Sequence, residues 1–278
     1  MTRLSIPLYV ACLSFIAHSA AVGQQSSTPT PSTPNDLRVT VTNEGNSSFT
    51  LTPLWFAFQN GGFDFFDVGS AASSSLEALA EDGDINGLVA DFGASGQPDN
   101  RQGAVFAPGG FADAPVIEPG ETGSAFITPI NPANHQYFSF ASMVIPSNDT
   151  FIGNNDPLAY HVLNAAGDIN DPSGVFTISI FGNDLYDSGT EENLGMGAAF
   201  STIMGSPTDT VGGVIGAAGD LMEFLNTGTP AGTTITDFIA ADELVATITI
   251  SSVPEPSSIG VAMIGLGAIW GVNRRRRR

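Results

Sequence analysis

The sequence contains no lysine, and six of its eight arginines, Arg3 and Arg274 to Arg278, lie at the two extreme ends. Only Arg38 and Arg101 remain in the body. A nucleic-acid binder replaces phosphate counterions with a cationic stripe, so nucleic-acid binding is excluded. Cysteine is as scarce. The single Cys12 falls in the N-terminal apolar run, which leaves the rest of the chain without a disulfide, a thiol nucleophile or a thiolate metal site. Long hydrophobic runs are missing too. The apolar stretch from Ile259 to Val272 covers only about 21 Å of a hydrocarbon core of roughly 30 Å, too short for an unstrained permanent span.

What the chain does have is 42% apolar residues, 32 Gly, 18 Pro and 19 Phe in 278 positions. That content buries a core, and the profile of tight turns and short strands points to an all-β fold. Strand patterns appear at Leu37 to Thr42, Phe49 to Phe58, Ser124 to Ile127, Tyr137 to Ile145, Val175 to Phe181 and Leu244 to Ile250. Ala71 to Glu81 reads as one short helix closed by Gly83. With no internal linker and no fixed-period repeat, residues 37–252 are expected to form one antiparallel β-sandwich with long loops.

Residues 1–23 have a basic start, an apolar run and a small-residue end with possible cuts after Ala20 or Gly23, the pattern of a secretory signal peptide. A lipid anchor on Cys12 is the weaker alternative, because its approach sequence is poor. Residues 24–36 are a Ser/Thr/Pro-rich linker that can carry O-glycans. From Gln24 to Val253, two arginines face 27 acids, all 28 of the chain's less Glu255, for a net charge of -25. Divalent cations are the natural compensation.

Residues 253–278 resemble the PEP-CTERM sorting signal of Gram-negative bacteria, with Pro254-Glu255-Pro256, the apolar segment 259–272 and the Arg tail in order. The resemblance implies transient inner-membrane retention through 259–272, cleavage by an exosortase-type processing enzyme, and release to the cell envelope or extracellular matrix. An ordinary C-terminal membrane anchor is the competing reading.

Four patterns bear on chemistry. Asp187-Ser188-Gly189-Thr190 matches the loop of aspartic proteases, but those need two carboxylates sharing a proton and the chain has one copy. Asp82 to Gly87 matches the first half of an EF-hand loop, yet position 12 is Gly93 where a bidentate Glu is required, so a polar turn is the simpler reading. Pro146-Ser147-Asn148-Asp149 and the acidic stretch Asp184 to Glu192 each follow a strong strand, and a sandwich can bring such loops together to hold a hard cation. His135 and His161 belong to no catalytic motif and are expected at ordinary surface or strand positions. The sequences Asn46-Ser47-Ser48 and Asn148-Asp149-Thr150 fit the glycan-acceptor pattern, which in a bacterium is accidental.

Ser142 to Gly153 and Tyr186 to Glu191, with Leu54-Trp55 and Leu76 to Gly83, resemble the spondin domain of secreted proteins, with residues 195–241 unplaced. That resemblance implies a C2-like antiparallel sandwich binding Ca2+ at one end through Asp149, Asp187 and Glu191, the last a glutamate where the family has aspartate. The reading that follows is a non-enzymatic, secreted or envelope-associated calcium-binding protein of the matrix or of adhesion, with a polysaccharide or protein ligand. Two alternatives stand beside it. One is a hydrolase of extracellular polymers using paired carboxylates, Asp64 with Asp67 or Asp187 with Glu191. The other is a structural surface protein in which calcium only stabilises the fold.

Overall fold

The structure, a computed structural model, describes residues 36–107, 115–127, 131–229 and 232–253. The signal peptide, all of the linker but Asp36, and the sorting tail from Pro254 onward lie outside the described residues.

Two antiparallel sheets form the body. The first runs β5 (Thr122–Ile127), β1 (Leu37–Asn43), β11 (Leu244–Ser252), β8 (Val175–Phe181). The second runs β10 (Gly216–Ala217), β9 (Leu185–Asp187), β7 (Thr150–Gly153), β6 (Tyr137–Ile145), β3 (Leu54–Gln59), β4 (Gln102–Val105), with β2 (Thr50–Leu51) also paired to β6. Alternation decides which residues meet between them. Val39 and Val41 of β1, Ile248 and Ile250 of β11, and Phe56, Phe58, Phe138 and Phe140 of the facing sheet are buried together in the main core.

The expected all-β sandwich is therefore what the chain forms, with one correction. Two helices, α1 (Ser74–Asp82) and α2 (Asn86–Ala94), cover the outer face of the second sheet, where one had been expected. They seal a second core of Leu76, Leu79, Leu88 and Phe92 over Trp55, Ala57 and Ala141. Strand β3 is buried along its whole length for that reason, and its sequence LWFAFQ shows no polar alternation. The Ser73 hydroxyl caps α1 by accepting from Leu76 N–H, and Gly83, at φ 66°, closes it in the left-handed region. Helix α2 has no side-chain cap and carries Gly87 and Gly93, which hides it from propensity.

The pattern Phe49 to Phe58 is not one strand. Pro53 has no N–H to give a ladder, and the chain breaks there into β2 and β3. The described residues of 195–241 form mostly irregular structure, and they supply Ile215, Leu221, Phe224, Ile235 and Ile239 to the two cores.

Candidate functional site

Two turns meet where β6 passes into β7 and where β9 ends. Strands β7 and β9 pair with Thr150 opposite Asp187, which sets Asp149 beside the turn Asp187 to Asn193. That turn depends on a glycine: Gly189 has φ 71°, and a Cβ there would lie 2.6 Å from Val214 backbone atoms.

Asp149 is fully buried, and four donors compensate its lost hydration. Its Oδ2 accepts from the Ser188 hydroxyl at 3.1 Å, Thr190 N–H at 2.9 Å and Glu191 N–H at 3.1 Å. Its Oδ1 accepts from the Asn193 amide at 3.0 Å. The same Asn193 nitrogen donates to Asp187 Oδ2 at 3.1 Å, so one amide bridges two carboxylates. Asp187 Oδ1 accepts from Gly189 N–H at 2.8 Å. Glu191 accepts from the Asn148 amide at 3.2 Å, and that amide also donates to the Met196 carbonyl. The Asn148 Oδ1 is buried with no hydrogen-bond partner.

The structure thus brings Asp149, Asp187 and Glu191 into one network. Asn148, Ser188 and Thr190, which lie inside the two motifs singled out in the sequence, complete it together with Asn193, which nothing in the sequence marks. Helix α1 adds more acid: Glu81 lies beside Thr190, and the charge of Asp82, like that of Asp209 from a later loop, reaches Glu191. Asp187 is pushed up to about 6, first by burial and then by the charge of Asp149, with Gly189 N–H and the Asn193 amide pulling it back. Burial, with smaller contributions from Glu191, Glu77 and Asp82, pushes Glu81 up to about 7 against the lowering bond from Thr190.

Both folded values exceed the ordinary 3.8 and 4.5 of these groups, so the folded state binds their protons more tightly than the unfolded chain does. Their contribution to stability is therefore greatest at low pH and is lost as pH rises from about 4 through 7. In chelator, the domain is expected to melt at a higher temperature at pH 5 than at pH 7.5. Replacing both groups, Glu81→Gln with Asp187→Asn, is expected to flatten that slope, as followed by thermal melts across the range. An unchanged slope would place the titration elsewhere.

Asparagine and carboxylate oxygens are the hard donors that calcium prefers, and the orphaned Asn148 oxygen suits a cation. Against this, all four Asp149 bonds go to the protein's own donors, and among the described residues no group of three or more His, Cys, Asp or Glu is disposed to hold a metal ion. In this arrangement the Asn193 amide takes the place between Asp149 and Asp187.

The remaining candidates fall elsewhere. Asp82 to Gly87 is the corner between α1 and α2, in which Asp84 accepts from Asn86 N–H at 2.9 Å and Gly87 is already helical. It is a turn, not a loop wrapping an ion. Asp64 and Asp67 stand exposed after β3, and partial burial, followed by the charge of Asp67, raises Asp64. His135, expected on the surface or in a strand, is fully buried in a turn: Nδ1 accepts from Asn131 N–H at 3.0 Å, and Nε2 lies 3.0 Å from the Pro98 carbonyl. His161 stacks on Tyr137. Asn148 is 1% exposed, which removes it as a glycan acceptor.

The acidic turns sit far from the C-terminus of the fold. At one end of β1, Leu37 pairs with Ser252; at the other, the Asn43 amide donates to the Phe49 carbonyl, next to the Thr50 and Ile145 pair that leads into Asp149. Seven strand residues, about 20 Å, separate the two ends.

Among the described residues no helix is long and apolar enough to cross a membrane. No curated protein matches the chain. The spondin resemblance of the body is supported by no family match. Residues 252–278 match the PEP-CTERM protein-sorting motif, and the chain is thereby an exported protein of the cell envelope or beyond, sorted by an exosortase-type enzyme.

Proposed function

We propose that the protein is a non-enzymatic, spondin-like module that takes calcium at its acidic end and presents that end to a polysaccharide or protein of the extracellular matrix. The observation that carries the reading is the convergence of Asp149, Asp187 and Glu191 from two separate turns, beside the unpartnered Asn148 oxygen. The net charge of -25 over residues 24–253 favours the same chemistry. Asp187, Glu191 and Asn148 would hold the ion, and Asn193 would give up its bridge to Asp187. Calcium, when bound, supplies the positive charge that these carboxylates lack. The acidic end lies at the other end of β1 from Ser252, the last residue of β11, which favours presentation of that end while the protein is still held by its C-terminal segment.

Calcium at a hundred times its dissociation constant is expected to stabilise the domain by about 2.7 kcal/mol, which raises Tm by several degrees. Magnesium should do less, because it demands a tighter octahedron. Asp187→Asn is expected to remove most of the shift and leave the fold intact. The blank is Asp84→Asn, at the exposed helix corner; Asp82 is unsuitable because its charge reaches Glu191. Melts with calcium and with chelator decide the matter: equal shifts in wild type and Asp187→Asn would put calcium elsewhere. A polysaccharide-binding screen of the calcium-loaded domain, run beside a glycosidase screen, then separates presentation of a ligand from hydrolysis.

A further inference from the structure

The edges of the two sheets are not alike. Strand β10 is two residues long and β4 four, and β5 has Val105 and Phe106, at the end of β4, packed against its Gly123. Strand β8 runs seven residues, Val175–Phe181, at the other edge of the first sheet, and it pairs with β11 alone. Its sequence VFTISIF holds no charge and no proline, the side-chain devices that keep exposed edges from pairing.

The register fixes which backbone groups of β8 face outward. The Val253 N–H donates to the Asp36 carbonyl and the Glu44 N–H to the Val245 carbonyl, so odd-numbered residues of β11 face β1 and even-numbered ones face β8. Ala246, Ile248 and Ile250 therefore bond Ile180, Ile178 and Phe176, and the backbone groups of Val175, Thr177, Ser179 and Phe181 point to the open edge. The outer two are already answered: the Val175 N–H donates to Ser173 Oγ at 3.2 Å, and the Phe181 N–H to Asp184 Oδ2 at 2.9 Å. Thr177 and Ser179 are exposed, and among the described residues nothing bonds their outward N–H and C=O groups. The open set is thus symmetric about Ile178.

We infer that β8 pairs with β8 of a second copy of this chain, antiparallel about a two-fold axis at Ile178. Thr177 then faces Ser179 of the partner subunit, and each such pair exchanges both of its N–H to C=O bonds. On the solvent face Val175 and Phe181, 37% and 38% exposed, come together across the seam, Val175 against Phe181 of the partner subunit. This symmetry selects a second copy over any other extended chain. The open donors end equally far on either side of Ile178, so a longer strand finds no more of them and this strand finds them all. Charge points the same way: with -25 over residues 24–253, two bodies approach at least cost along an uncharged seam. Asp171 and Asp184 flank that seam, and their repulsion across it is screened as the Debye length falls from about 10 Å at 0.1 M salt to about 3 Å at 1 M. Pairing uses up the edge of both copies, so association closes at the dimer. On the reading of the acidic end given above, one particle then carries two such ends and meets a matrix polymer bivalently.

The test uses the exported protein recovered from a host that has the sorting enzyme, with chelator present so that calcium bridges nothing. Sedimentation velocity is expected to give the monomer mass at about 0.05 M salt and twice that mass at about 1 M. Thr177→Pro sacrifices no bond to β11 and should hold the protein at the monomer mass in both. Cysteine reads the register, because the chain's single Cys12 falls in the expected signal peptide. Thr177→Cys mixed with Ser179→Cys in high salt should form disulfide-linked dimers roughly tenfold more than either variant alone, since facing Cα atoms lie about 5.5 Å apart and diagonal ones about 7–8 Å, beyond a disulfide's reach. A monomer at every salt concentration, an undiminished dimer in Thr177→Pro, equal cross-linking by one variant alone, or a particle larger than a dimer would each overturn the inference. Cross-links to a different protein of the envelope, with none between copies, would give the edge to that partner and overturn it as well. Should Thr177→Pro fail to fold, the cysteine pair still decides.

Discussion

Replacing Asp149 with alanine is expected to destabilise the domain by about 3–5 kcal/mol even in chelator, because four donors lose their acceptor at once. Two of these, the Thr190 and Glu191 N–H groups, belong to a turn that the chain cannot satisfy in another way without moving it. Each buried donor left unmade costs about 1–3 kcal/mol, partly offset as the repulsion of Asp187 is relieved and as Asn193 turns away. Hydrogen exchange gives the sharper reading. The amides of Thr190 and Glu191 should exchange much faster in Asp149→Ala, while those of β1 and β11 slow or quicken only with global stability. Asp149→Asn keeps an acceptor oxygen and should recover a large part of the loss. A melting temperature for Asp149→Ala within a degree or two of wild type would show that the carboxylate does not hold the turn.

The second large effect is expected at Trp55. This side chain is fully buried beneath the helices, its Nε1 donates to Gln102 Oε1 at 2.8 Å, and its ring meets Phe63, Phe65 and Phe92 edge-on with centroids 6.0, 5.8 and 6.0 Å away. Trp55→Ala removes the centre of the second core, at a cost of about 3–5 kcal/mol, or a fall in Tm of roughly 10 °C for a domain of this size. The loss should be local in kind. Helices α1 and α2 rest on this cluster and should lose protection first, while the two-sheet core built on Phe56, Phe58 and Phe138 keeps its own packing. Uniform loss of protection across both layers would mean that the helix layer and the sandwich fold as one unit. Trp55→Phe, which keeps an aromatic ring but drops the bond to Gln102, should fall between the two and separate packing from hydrogen bonding.

Much of this architecture was legible in the chain. Strands β1, β6, β8 and β11 are long and rich in β-branched or aromatic residues, so local pattern alone marks them. Helix α1 declares itself through its closing Gly83, though it starts at Ser74 and not at Ala71. Charge scarcity and the lone cysteine bounded the chemistry before any contact was known.

The tertiary structure decided the rest. Strands β4, β7, β9 and β10 run two to four residues, too short for a period to show, and they exist because a longer neighbour offers its free edge. Helix α2 is held by burial of Leu88 and Phe92 one turn apart, against the bias of its two glycines. The approach of Asp149, Asp187 and Glu191 was carried by a resemblance, but what joins them could not be read that way. Asn193 bridges two carboxylates, and Glu81 arrives from a helix more than a hundred residues earlier in the chain. A sequence records how one face of each segment meets water; which polar groups must answer one another inside is fixed only when the sheets close.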